Sequence, residues 1–176
     1  PERMIRPSGC TLMALMVLAL SGCAANGPYN STSDGADSVL MLKGHDPVAY
    51  FTAGRHTLGR ADIKAVHEGA TYRFSSEENR AAFVREPARY TPQFGGFCAN
   101  GIAYGIPWGG DPDTWKIIDG RLYIFGGASS RKYFLMDEKR NIGLADAYWK
   151  DEISGSHALP QRYKRLVMRV PHYRTG

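Results

Sequence analysis

Cysteine is scarce in this chain: three in 176 residues, at positions 10, 23 and 98. None belongs to a Cys-x-x-Cys pair, and the spacing fits neither a zinc site nor a disulfide framework. Long apolar runs are missing too. The longest, residues 12–20, falls well short of the roughly 18 residues a membrane-spanning helix requires. A phosphate-cradling glycine loop, a dinucleotide fingerprint, a nucleophile triad and paired carboxylates are also absent, so no motif points to an enzyme. The middle of the chain lacks an excess of either charge. Residues 23–160 carry 15 basic and 16 acidic side chains, whereas residues 161–176 hold five basic residues and no acid. The net charge of +5 is therefore a property of the end of the chain. No basic field spans the domain, which excludes nucleic acid as its partner.

What is present begins with Arg3 and Arg6 ahead of the apolar run, the layout of an export leader. Behind the run stands Leu20-Ser21-Gly22-Cys23, which resembles a bacterial lipobox. The expectation is a leader over residues 1–22, cleaved before an acylated Cys23, with the lipid bilayer as partner. Ala24 follows the cysteine in place of an aspartate, and the resemblance then implies the outer membrane, facing the periplasm. Residues 23–39, rich in Ala, Asn, Gly, Ser and Asp, read as a flexible tether. Residues 40–150 read as one globular domain, and 151–176 as a basic tail able to rest on anionic lipid or polysaccharide.

With 43% hydrophobic residues and 11% aromatics, the chain can fill a core. Asp46-Pro47 ahead of residues 48–51 has the form of a helix cap followed by proline at the first helical position. Residues 63–67 and 71–74 flank Glu68-Gly69 as a hairpin, and residues 115–118 and 122–125 flank Asp119-Gly120 as another. Ser75 with Glu78 predicts a capped helix that buries Ala82 and Phe83 and stops at Pro87. Further helices are expected from Ser129 or Ser130 to Met136 and over residues 142–149. The fold class is α+β, a small antiparallel sheet of two hairpins with short helices packed on it.

The stretch Gly95-Gly96-Phe97-Cys98-Ala99 holds the thiol that would be left free once the leader is cleaved and Cys23 acylated. Two glycines allow a sharp bend that would set Cys98 at the mouth of a helix, where N–H groups favour a thiolate. The competing reading is a small buried hydrophobe. Among the histidines, His45 is the better candidate partner for Cys98. His56 and His67 fit a polar turn and an exposed hairpin end. One cysteine with one or two histidines would suit copper(I) or zinc. Asp46 and Tyr50 complete a candidate pocket with Phe97, and of the aromatics around these segments, Tyr50, Tyr72, Tyr90, Phe94, Phe97, Tyr104 and Trp108, most are expected to be core.

Five motifs then occur in order: Lys43-Gly44-His45-Asp46-Pro47-Val48-Ala49-Tyr50-Phe51, Gly69-Ala70-Thr71-Tyr72-Arg73-Phe74, Asn79-Arg80-Ala81-Ala82-Phe83, the run from Pro87 through Gly95-Gly96-Phe97-Cys98-Ala99, and Trp115 with Asp119-Gly120-Arg121-Leu122-Tyr123. Together, from about residue 42 to residue 149, they resemble the YHS-domain proteins, in their exported or lipid-anchored branch. The resemblance implies a binding module for copper or a small ligand, with Cys98 as the recurring sulfur of that branch. Where copper-pump relatives of the family carry two cysteines, this chain has Ser75 and Asn79, poor ligands for soft metals. A thiol-redox protein using Cys98 and a structural envelope lipoprotein are the alternative readings.

Overall fold

The computed structural model describes residues 29–168. The segment expected as a leader, Cys10, the acylation candidate Cys23, Arg169 and Arg174 lie outside the described residues.

The chain enters through β1 (Ser31–Thr32) and β2 (Leu40–Met41), then α1 (Ala49–Thr52). β3 (Arg60–His67) and β4 (Ala70–Phe74) form the first hairpin, followed by α2 (Glu77–Arg85), α3 (Pro87–Tyr90) and the single turn α4 (Ala99–Ile102). β5 (Asp111–Ile118) and β6 (Arg121–Phe125) form the second hairpin, and α5 (Ala128–Met136), α6 (Glu138–Tyr148) and α7 (Ala158–Leu166) follow. The architecture is α+β. Both hairpins turn where glycine follows an acidic residue. Glu68 and Gly69 have φ of 50° and 80°, and Asp119 and Gly120 have 49° and 73°, the two positive angles of a type I′ turn.

The hairpins lie in separate sheets. One sheet has the order β1-β2-β4-β3 and the other is β5-β6 alone. β2 runs parallel to β4, with Leu40 opposite Thr71, so the first sheet is mixed. The cap of α2 sits one residue later than the Ser75–Glu78 spacing suggests. Ser76 Oγ accepts from the Asn79 amide at 3.2 Å, because Ser75 is engaged elsewhere.

Two apolar clusters share a wall. Met41, Tyr50, Phe74 and Phe83 belong to the first, and Phe97, Phe134, Tyr148 and Ile153 to the second. Side chains alternate along a strand, and β6 uses both of its faces. Leu122 and Ile124 point into the first cluster, Tyr123 and Phe125 into the second. This accounts for the unbroken apolar run Leu122-Tyr123-Ile124-Phe125, the mark of a strand covered on both sides.

Two segments expected as tether and tail are folded onto the domain where they are described. Asp37, 5% exposed, takes hydrogen bonds from Lys64 Nζ at 2.7 Å and Arg73 Nε at 3.0 Å. Asn30 donates through Nδ2 to the Gly96 carbonyl at 3.1 Å and the Gly110 carbonyl at 2.9 Å. At the other end, α7 docks through polar side chains. Arg165 and Lys164 both reach Glu152 Oε2, at 2.6 and 2.8 Å. Among the described residues no helix is long and apolar enough to cross a membrane.

Candidate functional site

Asp46 is fully buried, and its carboxylate is filled by local and distant donors. Oδ1 accepts from the amides of Val48 and Ala49 at 2.9 and 3.3 Å, which starts α1. Oδ2 accepts from Ser75 N at 2.8 Å, Ser75 Oγ at 2.6 Å and Asn79 Nδ2 at 2.7 Å. The capping role is as expected. Ser75 and Asn79 are committed to the same carboxylate. Burying a carboxylate without a cation costs several kcal/mol unless its lone pairs are satisfied, and five donors do that here.

His45 lies beside this hub without joining it. Its Nδ1 is 2.9 Å from the Leu42 carbonyl, which can only accept, so Nδ1 is the donor of that contact. Nε2 faces Asp113 Oδ1 at 3.6 Å, and His56 Nε2 approaches the same oxygen at 3.8 Å. The two rings meet edge to face, 5.7 Å between centroids. The sequence around His56 has the pattern of a polar turn, and nothing in it marks Asp113 as its neighbour. Register across a long loop decided this meeting, and no local pattern announces it.

Cys98 is elsewhere, in the second cluster with Phe97, Ala99 and Ile102, 3% exposed and free of any disulfide. The backbone delivering it is a left-handed run, Phe94, Gly95 and Gly96, with φ of 55°, 57° and 77°. Only glycine adopts such angles without strain, so the double glycine acts as the bend the sequence suggested. Cys98 is the residue that caps α4, though its side chain makes no capping bond. Its amide donates to the Trp108 carbonyl at 2.9 Å.

A cleft of about 380 Å³ opens beside the sulfur, lined by Asn100, Tyr104, Trp108, Gly126 and Ser130 among others. Tyr104 and Trp108 are exposed, at 54% and 44%. Absent side chains keep it open. A Cβ on Gly126 would sit 3.6 Å from Cys98 Sγ and 3.0 Å from the Gly109 carbonyl. Among the described residues no Arg, Lys or His lines the cleft.

The site residues are thus distributed differently from the expectation. His45 is not among the residues lining the Cys98 cleft. Tyr50 is core, its hydroxyl donating to the Pro112 carbonyl at 3.0 Å and its pKa pushed up, chiefly by burial. Phe97 is core as well. Tyr104 and Trp108 do line the cleft. Asn100, Ser130 and Gly126 were not foreseen, although the glycine pair at 126 and 127 after β6 was a readable signal. Among the described residues no group of three or more His, Cys, Asp or Glu side chains is placed to hold a metal ion. No family model matches the chain, and no curated protein or solved structure matches it.

Proposed function

We propose that this chain is a small-ligand-binding module of the YHS type, held at the outer membrane by an acylated Cys23 and facing the periplasm. The observation that carries the binding reading is the cleft beside Cys98. It joins one free thiol, two exposed aromatic rings and the polar edges of Asn100 and Ser130. A small planar molecule with an apolar face and a polar rim suits such walls. The order of five motifs supports the family, and Arg3, Arg6, the apolar run and Leu20-Ser21-Gly22-Cys23 support the anchor. Copper is the less favoured ligand, since the cleft supplies a single soft donor.

The reagent 5,5′-dithiobis(2-nitrobenzoate), a flat aromatic disulfide, probes the cleft. Modification of Cys98 in the folded chain, mapped by mass spectrometry, should outrun global unfolding. Gly126→Ala, which sets a methyl beside the sulfur, should slow it about tenfold. Modification only at the unfolding rate would remove the cleft as a binding site. A copper(I) affinity that drops more than about tenfold in Cys98→Ser would redirect the reading to metal.

A further inference from the structure

Helix α7 is inserted the wrong way round for an amphipathic helix on a globular domain. Such helices ordinarily turn an apolar stripe to the core and polar residues to water. Here the inward face is polar. Gln161 Nε2 donates to the Glu152 carbonyl at 2.6 Å, and the Arg162 guanidinium donates twice to the Pro107 carbonyl, at 2.9 and 2.7 Å. Arg165, 5% exposed, reaches Glu152 and stacks over Tyr148 at 4.9 Å. Leu159, Tyr163, Leu166 and Val167, spaced i, i+4, i+7 and i+8, line one face. They are 74%, 57%, 50% and 59% exposed.

We infer that this outward stripe of α7 lies on the surface of an anionic lipid bilayer. Three observations select lipid over other occupants. From residue 151 to residue 176 the chain holds five basic residues against two acids, Asp151 and Glu152, so that even with Glu152 taken up by Lys164 and Arg165 the segment keeps a net positive charge, complementary to a negative membrane surface. A nine-residue helix offers an apolar stripe of a few hundred Å², well under the roughly 1,000 Å² a stable interface between copies requires. Trp108, half exposed, sits next to the helix with the Arg162 guanidinium 5.7 Å over its ring. Indole and phenol rings favour the zone between headgroups and acyl chains. An amphipathic helix buried to that depth binds weakly alone and adds to a second anchor. The inference rests on the membrane residence proposed above and adds an orientation to it. With α7 and Trp108 toward the bilayer, the Cys98 cleft that Trp108 lines would open at the lipid surface.

The test places the full chain in phosphatidylcholine vesicles with and without phosphatidylglycerol, and in non-ionic detergent, and follows amide exchange by mass spectrometry. Exchange across residues 158–168 should slow about tenfold on the phosphatidylglycerol vesicles relative to the other two conditions. The pair Leu159→Ser and Leu166→Ser should abolish the slowing and leave exchange in β6 unchanged, which shows the fold intact. Equal exchange in all three conditions overturns the inference. So does equal slowing in the substituted chain, or slowing that grows with protein concentration at fixed lipid, the behaviour of a second copy. The mass of the Cys23 peptide is read separately, so loss of the acyl anchor and failure of α7 to meet lipid are distinguishable.

Discussion

Asp46 and Cys98 are both buried side chains with chemical potential, and the molecule treats them in opposite ways. Around Asp46 every direction is occupied by a donor, two from the start of α1 and three from Ser75 and Asn79. Around Cys98 the neighbours are apolar on one side and open on the other, where a cleft is kept clear by glycine. In the more conspicuous motif, His-Asp-Pro, the aspartate is therefore a structural joint, and the plainer Gly-Gly-Phe-Cys segment borders an open cleft. Residue type alone does not separate the two. What separates them is whether the polar atom's valence is already spent within the fold.

That contrast predicts unequal costs. Asp46→Ala should destabilise by about 3–5 kcal/mol in denaturant unfolding, because it strands several buried donors at once. Asn30→Ala removes two hydrogen bonds that clamp the Gly96 and Gly110 carbonyls. It should cost about 1–2 kcal/mol and make Cys98 more reactive toward thiol reagents. Cys98→Ala should cost about 1 kcal/mol, the loss of one small buried group. If it cost as much as Asp46→Ala, the sulfur would be a structural pivot and the comparison would break.

Tyr123 sharpens it from another side. Its hydroxyl is buried with no hydrogen-bond partner among the described residues, and burial is the main cause pushing its pKa up to about 12. Tyr123→Phe should be neutral or stabilising by up to about 1 kcal/mol in thermal unfolding. The smallest effect expected is on acidification. Hydrogen bonds from Lys64 and then Arg73 hold the Asp37 carboxyl below its ordinary range. Its contribution is thus complete above the unfolded carboxylate value, about 3.9, and fades as pH falls through the lower folded value. Amide exchange over residues 31–41 should quicken in that acid window, and Asp37→Asn should reduce the dependence to the part carried by Asp34, which also pairs with Arg73.

How much of this was legible depends on the range of the interaction. The hairpins at Glu68-Gly69 and Asp119-Gly120 were readable because two adjacent residues carry the turn. The helix after Ser75 was readable too, but its cap moved to Ser76 because Ser75 is drawn to a carboxylate 29 positions away. The parallel pairing of β2 with β4 involves two-residue contact that no periodicity encodes. Of the site, Cys98 and its glycine bend were legible, whereas Tyr104 and Trp108 stood among seven nearby aromatics, and nothing local separated them from Tyr50, Tyr72, Tyr90, Phe94 and Phe97, which are core. The separation of His45 from Cys98 and its meeting with His56 at Asp113 follow from tertiary register alone. Helix α7 was not legible, since residues 151–176 read only as a basic tail and the helix is fixed by partners as distant as Pro107.

The strand from Arg121 to Phe125 has one further consequence. Because its alternate side chains belong to different apolar clusters, neither half of the protein can lose its packing without stripping one side of the same five residues. Heating should therefore melt the hub and the cleft together in a single transition. Damage at one end of the molecule would be felt at the other as lost thermal tolerance, even where nothing near the cleft has changed.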